Sequence, residues 1–164
     1  MASIKDKNRE LYHYEECGLT NVYIDGLPVV TDAHGEPTYV IKNLPGLHKC
    51  ISKAITLKKS GLSGAEMRFL RTEMGMTQAE LAQFIHKDSQ TIGRYEREET
   101  PIDPASATLV RALAVQKLKI GKGKHTSVEA LSELSVASVK QDGWILIDGH
   151  DPDNYKTKPQ RKVA

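Results

Sequence analysis

Cysteine is scarce in this chain: Cys17 and Cys50 are the only two in 164 residues. That is too few for a disulfide framework, and in a reducing compartment they would be free thiols or ligands. Long apolar runs are missing as well. None approaches the roughly 18 residues that would suggest a membrane span, and the opening MASIKDKNRELYHYEE has no apolar centre of the signal-peptide kind. A cytoplasmic chain without membrane contact is therefore expected. The sequence also lacks HExxH and GxSxG, and its six histidines are scattered with no carboxylate partner at a useful spacing. KLKIGKGKH fails as a phosphate loop, because Leu118 stands where glycine is needed and His125 where Ser or Thr should follow. Asp148, Asp151 and Asp153 lack the spacing of an EF-hand and are expected to form a surface turn. Neither an enzyme nor a bound cofactor is expected.

What is present concentrates between Leu62 and Leu118. Within it, TQAELAQFIHKDSQTIGRYE, from Thr77 to Glu96, reads as two short helices around a tight turn. Thr77 can cap the first helix while Glu80 reaches back from three residues later, a capping box. Leu81, Ala82 and Ile85 then share one helical face. The small Ala82 lets a second helix cross closely, His86 sits where the chain must turn, and Ile92 can plug the angle between the helices. This is helix-turn-helix spacing. Asp88 is placed to cap the second helix, leaving Ser89, Gln90 and Thr91 in its first turn and Gly93, Arg94 and Arg97 on the faces beyond.

Those side chains suit a nucleic acid better than a core. Gln90 can pair with N6 and N7 of adenine and Arg94 with O6 and N7 of guanine, each such bidentate contact supplying about 1–3 kcal/mol of discrimination. Ser89 can serve a base or a phosphate. The competing reading for Gln90 and Arg94 is a solvated helix face, whereas Leu70, Leu81, Ala82, Ile85, Ile92, Leu109 and Leu113 are expected in the core and carry no functional information. Net charge is only +2, yet the stretch from Lys58 to Lys124 holds 12 basic and 8 acidic residues. The positive excess sits on this segment, which favours salt-sensitive contact with phosphates.

The stretch LRTEMGMTQAELAQFIHKDSQTIGRYE, followed by the apolar TLVRALAVQKL, resembles the Cro and phage-repressor helix-turn-helix family, often called Xre-type. The resemblance implies a helix lying in the major groove, with Ser89, Gln90, Gly93 and Arg94 facing the bases, and a phosphate held by Gln78. Lys87, Thr91 and Arg97 are further candidates for the DNA backbone. The chain departs from the family's pattern at the turn, where the usual glycine is His86 and the usual apolar residue after it is Lys87. Histidine is enriched among non-glycine residues at positive φ. The glycine of the family's E-x-G ending is replaced by Glu98.

Patterning divides the remainder into 1–61 and 119–164 around the 62–118 segment. Residues 1–12 are polar and expected to be poorly ordered. Val22 to Ile24, the turn dipeptide Asp25-Gly26, and Leu27 to Val30 suggest a hairpin, and Thr38 to Ile41 a third strand after the turn cluster DAHGEP. Leu47, Ile51, Ala54 and Ile55 recur at helical spacing, and Lys58 to Gly61 reads as a linker. Ser63 and Glu66 make a second capping box, opening a helix with Met67, Leu70 and Met74 inward and Gly75 at its end. Asp103 and Pro104 open another, whose Leu109, Val110 and Leu113 would close the core. Lys117 to His125 reads as a flexible basic linker. Val128, Leu131, Leu134 and Ala137 suggest a last helix, and Gly143 to Ile147 a buried strand needing a partner, either a second copy or the N-terminal sheet. NYKTKPQRKVA is expected to be disordered.

The resulting fold class is mainly α: a lambda-repressor-like helix-turn-helix bundle with a small α+β N-terminal domain and a C-terminal helix-strand extension. YHYEECGLTNVYIDG followed by GLHKCI resembles the N-terminal domain of MqsA-type antitoxins, which implies a zinc-ribbon-like unit in a degenerate form. Zinc wants four ligands, and this chain would have to find them in Cys17, His48 and Cys50, with His13 or His34 as extras; a metal-free unit is expected. Taken together, the resemblances imply a sequence-specific transcriptional regulator, a repressor that binds a near-palindromic duplex operator as a homodimer. The alternative is an antitoxin that neutralises a toxin through its N-terminal domain and represses its own operon.

Overall fold

The computed structural model describes residues 5–6, 9–136 and 143–159. The chain divides into two compact units, one taking in residues up to 51 and from 143 on, the other spanning 52–142. The expected divisions at 61 and 118 are therefore replaced by a division inside a helix and a C-terminal segment that returns to the first unit.

In the first unit, β1 (Lys5–Asp6) pairs with β2 (Arg9–Glu10), so the N-terminal residues are not uniformly without structure. β3 (Tyr12–His13) lies antiparallel to β4 (Val22–Asp25), β4 runs parallel to β7 (Ile145–Asp148), and β8 (Lys156–Thr157) closes the far edge antiparallel to β7. Val22, Tyr23 and Ile24 are all buried. An unbroken apolar run of this kind suits a central strand with both faces covered. Of the two partners open to the C-terminal strand, the N-terminal sheet is the one it takes.

The hairpin expected from Val22–Ile24 and Leu27–Val30 does not form. Both edges of β4 are occupied by β3 and β7, and Gly26, at φ +81, turns the chain away with the His150 ring in the space a Cβ would need. β5 (Val29–Thr31) instead pairs with β6 (Pro37–Tyr39) as a separate hairpin. The Asp32 carboxylate accepts from the N–H of His34 at 2.8 Å and of Glu36 at 2.9 Å, so the DAHGEP cluster makes its turn. The expected three-stranded sheet is thus a four-stranded mixed sheet plus a hairpin. Part of the C-terminal stretch expected to be disordered is ordered as β8. Lys158 Nζ lies 2.7 Å from Asp25 Oδ2 and 3.6 Å from Asp148 Oδ2, bridging the ends of two registered parallel strands.

Helix α1 (Leu44–Leu57) has Leu47, Ile51 and Ile55 fully buried at a four-residue spacing. The second unit continues with α2 (Gly64–Glu73), α3 (Gln78–Ile85), α4 (Ser89–Glu96), α5 (Pro104–Lys117) and α6 (Val128–Val136). Each of the four helices from α2 to α5 begins at the residue its sequence nominates. Ser63 with Glu66 and Thr77 with Glu80 form full capping boxes, and Asp88 and Asp103 cap by accepting from Thr91 and Ser106. Met67, Leu70, Leu81, Ile92, Val110, Ala114 and Leu131 are fully buried.

Two expectations about this unit change. Leu109 is 41% exposed, because α5 buries the stripe Ala107, Val110, Arg111 and Ala114, an i, i+3, i+4, i+7 pattern that excludes it. The C-terminal extension is also not one piece: α6 packs on α5, while β7 and β8 complete the first unit's sheet. Ala137 lies outside the described residues. Within the basic stretch expected to be a flexible linker, Ile120 is buried and its N–H donates to Val115 O at 3.1 Å, anchoring the exit from α5. Among the described residues no helix is long and apolar enough to cross a membrane.

The stretch read as a linker, Lys58 to Gly61, is held firmly. Arg111 is fully buried and its guanidinium donates to the carbonyls of Thr56 at 2.5 Å and Lys58 at 3.1 Å, and also to that of Ser60. The last carbonyls of a helix have no partner within it, and a cation at that end is favoured by the helix dipole. Burial pushes the guanidinium down to about 10. Lys58 Nζ adds an ion pair to the buried Glu66 carboxylate at 2.5 Å.

Candidate nucleic-acid interface

The site is built on the turn between α3 and α4. His86 adopts φ 55 and ψ 45, the left-handed conformation that this position requires. Lys87 N–H then donates back to Ala82 O at 2.9 Å, closing the helix end. Ala82 is 3% exposed and Ile92 fully buried, so the two helices cross closely with Ile92 in the angle. Asp88 starts α4: its carboxylate accepts from the Thr91 hydroxyl at 2.7 Å and N–H at 2.8 Å, which holds it below the usual carboxylate range.

This arrangement brings Gln78, Ser89, Gln90, Gly93, Arg94 and Arg97 around one open polar depression of about 340 Å³. Ser89, Gln90 and Arg94 are exposed. Gly93 is buried and forms the floor: a Cβ there would meet Arg97 Nη1 at 3.0 Å and Gln78 Oε1 at 3.7 Å. Glycine in mid-helix costs about 1 kcal/mol relative to alanine, and here it keeps open the space between α3's first residue and the guanidinium of Arg97.

Four of the eight candidate residues need comment. Gln78 is not a loose side chain, because its Nε2 donates to Glu96 Oε2 at 2.9 Å. Glu96 is itself fixed by Arg71, Nε to Oε1 at 2.5 Å and Nη2 to Oε2 at 3.0 Å, while Arg71 Nη1 donates to Met76 O. Lys87 and Thr91 are not brought into the depression. Lys87 Nζ pairs with Asp103 Oδ2 at 3.4 Å, and the Thr91 hydroxyl belongs to the α4 cap. Arg97 lies in the depression but carries Glu99, Nε to Oε1 at 2.6 Å and Nη2 to Oε2 at 3.1 Å. That hydrogen bonding raises the Arg97 guanidinium further and lowers the Glu99 carboxyl.

Sequence reasoning passed over Arg71, Glu96 and Glu99. Arg71 and Glu96 are 25 positions apart and share no local pattern. Glu98, where the family's pattern has glycine, takes φ 59 and its Oε1 accepts from Gly64 N–H at 3.2 Å. The left-handed exit from α4 is thereby kept without glycine.

Residues 67–113 match the helix-turn-helix family, a span that runs from α2 through most of α5. This segment is a helix-turn-helix. The match supports a DNA-binding regulator of that type and lies wholly outside the N-terminal stretch that resembles MqsA-type antitoxins. No curated protein and no solved structure matches the chain. In the helix-turn-helix, α4 is the helix with exposed polar side chains at its start and the open depression along its side.

In the N-terminal unit, the candidate ligands are engaged in other ways. His48 Nε2 lies 2.8 Å from the Tyr14 hydroxyl, and Cys17 Sγ lies 3.6 Å from Tyr14 O. Cys50 is half-buried. Among the described residues no group of three or more His, Cys, Asp or Glu side chains is arranged to hold a metal ion.

Proposed function

We propose that this protein is a sequence-specific transcriptional regulator, a repressor that binds a near-palindromic duplex as a homodimer, acting in the cytoplasm by binding alone and without a metal cofactor. The observation that carries this reading is the depression lined by Gln78, Ser89, Gln90, Gly93, Arg94 and Arg97, beside a helix whose amide and guanidinium side chains are exposed. Gln90 and Arg94 read base edges, Ser89 a base or phosphate, and Gln78 and Arg97 the sugar-phosphate backbone. One helix pair covers too little surface to select a site in a genome, so two copies reading grooves about 34 Å apart are required.

Selection of bound duplexes from a random pool by the purified protein tests this. A two-fold symmetric site is expected, with Gln90→Ala and Arg94→Ala each relaxing preference at one position per half-site. If both variants return the same site with unchanged preference, α4 is not the reading helix.

A second reading, an antitoxin whose first unit masks a toxin, is favoured by the β5–β6 hairpin. Its residues 29–38 are all exposed and include Val29 and Val30, a surface suited to a protein partner. Co-purification with the product of an adjacent small reading frame, lost when Val29 and Val30 are changed to Asp, is the expected result; failure to co-purify removes this reading and leaves the first intact.

A further inference from the structure

Within the depression, Arg97 already holds an acid. Its guanidinium meets Glu99 fork to fork, at 2.6 Å and 3.1 Å, the planar two-point arrangement by which arginine also takes two oxygens of a phosphate. A carboxylate on that fork leaves no room for a phosphate on it. The neighbouring carboxylates are committed elsewhere, Glu96 to Arg71 and Gln78, Glu98 to Gly64 N–H. Glu99 and Arg97 are 51% and 60% exposed, and exposed ion pairs are weak enough to be exchanged for another anion.

We propose that Glu99 determines the DNA affinity of this protein and its salt dependence, as an intramolecular stand-in for phosphate that a duplex must displace from Arg97. The inference rests on the regulator reading given above. On binding, the Arg97 fork passes from Glu99 to a backbone phosphate, and the released carboxylate turns to solvent and recruits a cation. Net ion release is therefore smaller than the count of phosphate contacts implies. Glu99 also selects against loosely placed duplex, since only a phosphate held in register by Gln78 and the reading residues competes well with a carboxylate attached two residues away.

The test measures dissociation constants for a selected duplex and an unrelated duplex across a salt series, with wild type, E99Q, R97Q and R97Q/E99Q. Urea unfolding of each variant checks that the fold is retained. E99Q is expected to bind roughly two- to five-fold more tightly, with a salt slope steeper by up to about one and the larger proportional gain on the unrelated duplex. R97Q is expected to bind more weakly, and adding E99Q to it should change little. An E99Q that binds no better than wild type overturns the proposal, as does an equal gain in the R97Q background, which would make Glu99 a source of general repulsion. If none of the four proteins binds duplex even at low salt, the regulator reading itself falls and this inference with it.

Discussion

Gln78 Nε2 donates to Glu96 Oε2 at 2.9 Å, and the same carboxylate is gripped at both oxygens by Arg71. The first residue of α3 is thus oriented by the last residue of α4 through an acid that is 4% exposed. Glu96→Ala leaves Arg71 half-enclosed without its partner and frees the Gln78 amide. A loss of about 3 kcal/mol in urea unfolding is expected, as for other broken buried pairs. Glu96→Gln, which keeps one acceptor, should lose less stability while still weakening DNA binding, and equal losses from both would show that the retained acceptor contributes nothing and the charge is what holds Arg71.

His86 stands at φ 55, and its ring makes no hydrogen bond among the described residues. The left-handed conformation costs an L-residue about 1–2 kcal/mol, part of which glycine returns as greater freedom in the unfolded chain. His86→Gly should stabilise the second unit by about 0.5–1 kcal/mol, seen as a higher urea midpoint at unchanged slope. A lower midpoint would mean that the imidazole contributes a contact outweighing the strain.

Arg111 makes the end of α1 and the following stretch part of the helix-turn-helix unit. Arg111→Met removes the donors for several buried carbonyls, and a cost of about 3 kcal/mol is expected at about 1–3 kcal/mol per group left unsatisfied. A fragment spanning 52–136 should unfold cooperatively, whereas one spanning 62–118 should not, because it keeps the buried guanidinium and lacks the carbonyls it serves. Comparable cooperative transitions from the two fragments would refute this.

Asp103 gives a pH dependence with a defined sign. Burial alone would raise its carboxyl, but hydrogen bonds from Ser106 N–H and hydroxyl and from the Tyr95 hydroxyl, with Lys87 nearby, hold it well below the ordinary 3.8. A depressed native value means that the stabilisation is fully present above about pH 4 and is lost progressively as pH falls below it. The acid limb of stability against pH should be shallower in Asp103→Asn, which is also less stable at neutral pH. Parallel acid limbs for the two proteins would exclude Asp103 as a contributor.

The parts of the fold that were legible in the sequence are those decided within a few residues. Ser63 with Glu66, Thr77 with Glu80, Asp88 and Asp103 all cap where their spacing places them, because a cap is a contract between a side chain and a backbone N–H two or three residues on. The left-handed turn at His86 and the face shared by Leu81, Ala82 and Ile85 belong to the same class. The depression gathers six residues because α4's period and its crossing with α3 bring them together, and the crossing depends on the small Ala82.

Where long sequence separations enter, the local pattern gave the wrong neighbour or none. Asp25-Gly26 is a strong hairpin dipeptide, yet β4 finds its partners in β3 and in β7, more than a hundred residues away. Leu109 is apolar at a plausible spacing and still faces outward, since α5 turns the stripe of Ala107, Val110, Arg111 and Ala114 to the core. Lys87 looks like a free cation in one dimension, and in three its ammonium lies 3.4 Å from the Asp103 carboxylate, 16 positions on.

The amino-acid order by itself determined the helix starts, the turn and the kind of side chain offered on α4, because these depend on backbone hydrogen bonds and a 3.6-residue period that act over one or two turns. Tertiary structure alone decided which of those side chains stand together and in what state. A mid-helix glycine becomes a floor, a glutamine is aimed by a distant glutamate, and an arginine meets a carboxylate on its own helix exit, since the positions of ions and amides are settled by whatever partner packing brings within three ångströms.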